Sequence, residues 1–275
     1  MAELGSGPLV LLLHGFPQFW WAWREQLVAL ADAGFRVVAP DLRGYGASDK
    51  PPRGYDMFTL AGDVAALVRA LGEPAAAVVG HGQGGVVAWT TAALHPAVVR
   101  RLVVVAAPHP LRMRTAVVTT PGEQLRAGAH LALFQLPRYP EAWLTRDGAV
   151  NTGALIRSWS ARSGWPDDEA LRRYREAMLI PGVAHCAMEY YRWAGRSQLR
   201  PDGRRFARAV RRPVDAPTLA LHGRDDPYVP ARLARGSGLY VRGPYTWREI
   251  EQAGHFPPEE QSGAVTAELL RWLTT

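Results

Sequence analysis

The run Ala76-Ala77-Val78-Val79-Gly80-His81-Gly82-Gln83-Gly84-Gly85 decides the fold. Its first four residues are small and apolar, and two are β-branched, which reads as a strand buried on both faces. Four glycines in the next six residues mark a turn too tight for β-carbons. The apolar stretch from Gly84 to Leu94 then reads as a helix that stops before His95-Pro96. A strand, a sharp turn and a helix in this order lift the central turn residue, Gly82, above the sheet edge. The free N–H groups and positive end of the helix favour an anion there.

Similar strands recur on both sides of this unit. Leu9 to Leu13, Arg36 to Ala39, Leu102 to Ala106, Thr218 to Leu221 and Thr246 to Ile250 are short and apolar on both faces. Helical patterns fill the gaps at Trp23 to Ala33, Thr59 to Leu71 and Val265 to Leu273. This alternation predicts βαβ units, a mostly parallel sheet and helices on both faces. From Pro108 to Pro217 the strand pattern stops and only helical patterns appear. So long a stretch is too much for a connection and reads as an inserted helical subdomain. The expected division is a core from 1–107 and 217–275 with an inserted unit at 108–216.

Composition narrows the class. The chain has 275 residues, a formal net charge of +7 and 48% hydrophobic residues, enough to bury a large core and exclude wholesale disorder. Cys186 is the only cysteine, which excludes an intrachain disulfide and suits a reducing cytoplasm. No apolar run reaches membrane-span length, and Pro8 to Leu13, preceded by Glu3, is too short for a signal peptide. Neither zinc spacing nor any other sign of a metal or organic cofactor is present. Lys50 is the only lysine, and 18 arginines against nine acidic residues fall between Leu111 and Arg212. The basic excess therefore belongs to the insertion and reads as a solvated face, with no nucleic-acid partner expected.

Three further motifs bear on chemistry. His14-Gly15-Phe16-Pro17 follows the first strand of the pattern, where the Phe16 N–H can join that of Gln83 as an oxyanion hole. Pro17 is expected to follow a cis bond. Leu219-Ala220-Leu221-His222-Gly223-Arg224-Asp225-Asp226-Pro227 brings two carboxylates to a strand end, and Ala253-Gly254-His255-Phe256 follows the last strand. An acid and then a histidine, each just after a parallel strand, suit an imidazole base oriented by a carboxylate. Gly82 lacks a side chain and cannot be a nucleophile. A phosphate-binding glycine loop is the competing reading of this turn, but no acidic residue follows at the usual spacing.

Taken together, these motifs resemble those of the epoxide hydrolases of the α/β-hydrolase superfamily. His14-Gly15-Phe16-Pro17-Gln18-Phe19-Trp20-Trp21-Ala22-Trp23-Arg24, Asp41-Leu42-Arg43-Gly44-Tyr45-Gly46-Ala47-Ser48-Asp49-Lys50-Pro51, Ala107-Pro108-His109-Pro110 and Tyr190-Tyr191-Arg192 carry the resemblance. It implies a base, His255, and its orienting acid, Asp226, with Asp225 as the rival. It also implies Tyr191 as hydrogen-bond donor to the epoxide oxygen, and a helical cap after the Leu102 to Ala106 strand. Trp20, Trp21, Phe134 and His81 are the expected substrate-binding residues, with Trp159 and Trp193 as further aromatic walls.

Three departures stand out. Glycine occupies position 82, where the resemblance implies an aspartate nucleophile. Leu133-Phe134-Gln135-Leu136-Pro137 carries no phenol where a first cap tyrosine is implied, and Tyr139 lies a few residues on. The N-terminal antiparallel hairpin is expected to be absent. The readings left open are a cofactor-free hydrolase in which His255 and Asp226 activate water, an impaired homologue that binds a small apolar ligand, and a variant of an active enzyme. A monomer or homodimer is expected, with a small apolar substrate as partner.

Overall fold

The computed structural model describes residues 1–119 and 131–274. Its sheet has seven strands: β1 (Ala2–Leu4), β2 (Leu9–Leu13), β3 (Arg36–Ala39), β4 (Ala76–His81), β5 (Val99–Val105), β6 (Thr218–Gly223) and β7 (Tyr245–Ile250). They lie in the order β1-β3-β2-β4-β5-β6-β7, and every neighbouring pair except β1 with β3 is parallel. The antiparallel β1 was not expected, because Ala2-Glu3-Leu4 has no apolar pattern of its own. No hairpin joins it to β2. Instead it crosses to β3, pairs Ala2 with Ala39 and Leu4 with Val37, and is held by an Arg36–Glu3 ion pair at 2.8 Å.

The all-apolar strands are explained by cover on both faces. Leu9, Leu11 and Leu13 of β2 join a core with Val64 and Val68 of α2 (Met57–Ala70) and Val87 of α3 (Gly82–Leu94). Val10 and Leu12 point the other way, among Leu27 and Leu30 of α1 (Arg24–Asp32) and Val265 and Leu269 of the C-terminal helix, Ser262–Thr274. Each fully buried Leu or Val contributes about 1.5–3 kcal/mol relative to exposure. The parallel register brings the ends of β2, β4, β6 and β7 to one sheet edge. Leu13 pairs with Gly80, and Gly223 with Ile250.

Among the described residues between β5 and β6 every element is helical. They are α4 (Pro110–Thr119), α5 (Tyr139–Trp159), α6 (Asp168–Leu179), α7 (Val183–Arg196) and α8 (Pro201–Ala209). The backbone of α5 leaves helical geometry at Arg146 to Ala149, with Asp147, Gly148 and Ala149 at positive φ, so two helical arms meet at a kink. Part of the expected basic face turns inward here. Arg192 is 5% exposed, and its guanidinium pairs with Glu141 at 2.7 Å and donates to the Leu136 carbonyl, tying α7 to α5. No described helix is long and apolar enough to cross a membrane.

His109, at the junction of β5 and α4, is buried against Tyr240, with ring centroids 4.1 Å apart and nearly parallel. Burial pushes its imidazole down to about 3. An unfolded chain takes up a proton near pH 6.5 that the folded chain refuses, so stability is lost as pH falls below that value. Between pH 7 and pH 5 this one histidine is expected to cost about 2 kcal/mol. Urea unfolding at the two pH values should show a loss smaller by that amount in His109→Phe than in the parent.

Candidate active site

The elbow after β4 is built by close approach. A β-carbon on Gly84 would lie 2.5 Å from the Leu13 carbonyl oxygen, so only glycine lets α3 start this near β2. Gly82, at its tip, has φ +50°, a left-handed conformation costly for residues with a β-carbon. A β-carbon built there would lie 3.3 Å from His255 Nε2 and 3.7 Å from Gly15 Cα. Position 82 therefore faces the His255 imidazole directly, and the loop after β2 forms the other wall. The Phe16–Pro17 peptide in that loop is cis. The Gln83 side chain accepts a hydrogen bond from the Tyr45 hydroxyl at 2.7 Å.

His255 Nδ1 lies 2.9 Å from Asp226 Oδ2. The other carboxylate oxygen of Asp226 accepts from the backbone N–H groups of Tyr228 and Val229 at 2.8 and 2.9 Å. Burial alone would raise this carboxyl, but the charge and hydrogen bond of His255 outweigh it and hold Asp226 below the usual carboxylate range. Asp225, the rival, is exposed at the surface. With Nδ1 committed to Asp226, His255 Nε2 is left facing Gly82.

Two residues absent from the sequence reading fix the backbone around His255. Glu260 accepts from the N–H groups of Gly254 and Phe256, on either side of the histidine, and from those of Ala161 and Arg162. Glu259 is buried against Arg24, Tyr174 and Gln18. Burial drives its carboxyl up to about 7, although Arg24 pulls the other way. Gln18 continues from Glu259 to His81 Nδ1, and His81 Nε2 meets the His255 carbonyl at 2.6 Å. Burial and the neighbouring His255 push His81 down to about 3, so its ring is neutral and donates its one N–H to one of these two oxygens.

The expected substrate-binding residues separate into two groups. Phe134 lies over the site, its ring centroid 5.9 Å from Phe16 and 5.1 Å from Tyr191. His81 is spent on support, since both ring nitrogens are engaged. Trp20 and Trp21 belong to a 3₁₀ turn, Trp20–Trp23, that aims them elsewhere. Trp20 packs on the far face of the sheet, and Trp21 sits beneath the Arg24 guanidinium and against Tyr174. Neither has a ring contact with His255. Tyr139 is 52% exposed.

Tyr228 was missed and stands at the site. Its ring is 4.8 Å from that of His255 and stacks on Trp159 at 4.1 Å, and it lines the same cavity as Tyr191. Burial pushes both phenols up, so both remain protonated. They line a mainly apolar cavity of about 380 Å³, with Met113, Trp193, Phe206 and Leu233 among its other walls. Tyr228 thus touches both the cavity and the imidazole. Among the described residues no group of three or more His, Cys, Asp or Glu could hold a metal ion.

This arrangement of elbow, acid and histidine on a mostly parallel sheet defines an α/β-hydrolase. The family model for the alpha/beta hydrolase fold matches residues 8–262, and the chain belongs to that family. The AB hydrolase superfamily protein YfhM of Bacillus subtilis is 33% identical over 98% of this chain and 91% of its own length. Epoxide hydrolase A of Mycobacterium tuberculosis is 32% identical over 98% of this chain and 91% of its own. In structure, the epoxide hydrolase CorEH matches with a TM-score of 0.86 and 29% identity, over 99% of this chain and 93% of that one.

The left-handed elbow makes a stability prediction. Gly82→Ala should lower unfolding free energy by roughly 1–2 kcal/mol, measured by urea denaturation. An unchanged midpoint would show that position 82 tolerates a β-carbon without strain.

Proposed function

We propose that the chain is a cofactor-free hydrolase of the epoxide-hydrolase type that acts on a small apolar substrate. The observation that carries this reading is the alignment of Asp226, His255 and position 82, with Nδ1 on the acid and Nε2 on the elbow. Without a side chain at 82, water attacks the epoxide carbon directly. His255 Nε2 takes the proton from that water, and Asp226 stabilises the imidazolium that forms. The ring oxygen, as its bond to carbon breaks, takes a hydrogen bond and then a proton from the Tyr191–Tyr228 pair, and the imidazolium returns its proton to the phenolate so that both groups are restored. Tyr228 supplies the second phenol that the Leu133 to Pro137 segment lacks. The N–H groups of Phe16 and Gln83 add positive potential at the elbow. In this reading residues 108–216 act as the cap, and the apolar cavity beneath it selects the substrate.

A panel of small epoxides, assayed for diol in ¹⁸O-water with the parent, His255→Gln and Gly82→Asp, tests the reading. The parent should form diol slowly, with solvent oxygen in the product of the first turnover. His255→Gln should lower that rate by about 10²–10⁴-fold. Gly82→Asp should raise it, and its first turnover should carry unlabelled enzyme oxygen. No diol from the parent, together with tight binding of an apolar ligand, would favour a binding protein instead.

A further inference from the structure

The space at the elbow has the chemistry of an anion site. Gly82 opens α3, a helix of 13 residues whose first N–H groups have no partner within the helix. Its left-handed φ followed by helical backbone turns successive N–H groups to one side, a concavity suited to anions. Opposite stands His255, a residue only 3% exposed. Its Nε2 has no hydrogen-bond partner among the described residues and lies 3.3 Å from where a β-carbon on Gly82 would be. Asp226 occupies Nδ1, so Nε2 is the ring nitrogen turned to this space. Beyond its chain neighbours and its own helix, the atoms nearest to that β-carbon position belong to His255 and Gly15.

We propose that this space binds a small carboxylate, of formate or acetate size, as a dissociable substitute for an elbow side chain. A planar monoanion with two oxygens reaches the imidazolium on one side and the helix N–H groups on the other. One imidazolium balances one charge, which disfavours a dianion, and a spherical halide cannot span both donor sets. The acid delivers its proton to Nε2 as it binds.

A second activity follows, and this step rests on the epoxide reading above whereas the binding site does not. A carboxylate oxygen forms a bond to an epoxide carbon, and the ring C–O bond breaks with its electron pair on oxygen. That oxygen takes a proton through the Tyr191–Tyr228 pair, and the pair is replenished from His255 Nε2. The product is a β-hydroxy ester of the carboxylic acid, and neutral His255 is regenerated. Tethered groups outperform free ones by effective molarities of about 10⁵ M or more. Transfer from free formate is therefore expected to be far slower than turnover by Gly82→Asp.

The test uses the full chain labelled with ¹⁵N-histidine and titrated with sodium formate, with sodium chloride at matched ionic strength as control. The resonance lost in His255→Gln identifies the imidazole. Formate should move the Nε2 signal saturably and chloride should not, and the response should vanish in Gly82→Asp, whose own carboxylate fills the space. Circular dichroism confirms that each variant is folded. Should Gly82→Asp fail to fold, acetate competing with formate for the same saturable shift in the parent serves instead. A linear response, or an equal one with chloride, overturns the site. Formate labelled with ¹⁸O is then supplied with an epoxide, and labelled hydroxy ester is expected. A saturable shift without ester overturns the transfer step if Gly82→Asp still makes diol. If neither protein turns over an epoxide while the shift persists, the carboxylate site stands and the epoxide reading falls.

Discussion

One buried contact, Asp226 Oδ2 to His255 Nδ1, organises the sheet edge. It joins loops from β6 and β7, commits one nitrogen of the ring and so aims the other at the elbow. Burying a carboxylate is costly unless it is paired and hydrogen-bonded. Here three donors satisfy it, the imidazole and the N–H groups of Tyr228 and Val229. The same turn that satisfies Asp226 carries the Tyr228 ring to the imidazole. Orientation of the imidazole and placement of the phenol are therefore one structural event.

A second set of buried charges holds the backbone on which that contact depends. Glu260 clamps the N–H groups on both sides of His255, and Glu259 reaches its carbonyl through Gln18 and His81. The site therefore keeps a full supporting shell although the elbow carries no side chain. None of these bonds passes through a side chain at position 82.

The strand pattern and the order of acid and histidine were legible because both are local. Strands buried on two faces show as apolar runs, and the loops that follow them in a parallel sheet meet at one edge. The resemblance already favoured Asp226 over Asp225, and the turn that folds the Asp226 carboxylate back to the Tyr228 and Val229 N–H groups is the physical reason. β1 was hidden because its pairing partners lie more than thirty residues away and its three residues have no periodicity. Tyr228 was hidden because its neighbour Tyr191 lies across the insertion. Trp20 and Trp21 misled because sequence proximity to a motif does not fix direction, which the 3₁₀ turn sets. His81 misled in the same way, since its ring turns down into the support network. That position 82 is a glycine is read directly from the sequence, whereas its approach to His255 Nε2 needed the folded loops.

The far end of α5 bears on how a substrate reaches this edge. The Trp159 carbonyl accepts the His255 N–H at 2.8 Å, Ala161 and Arg162 donate to Glu260, and the Arg162 guanidinium reaches the Glu260 carbonyl. These bonds weld residues 159–162 to the histidine loop. Lifting the inserted helices from that side would pull the base out of register with Asp226. The weld acts as the fixed jamb of a door, about which the rest of the insertion is hung.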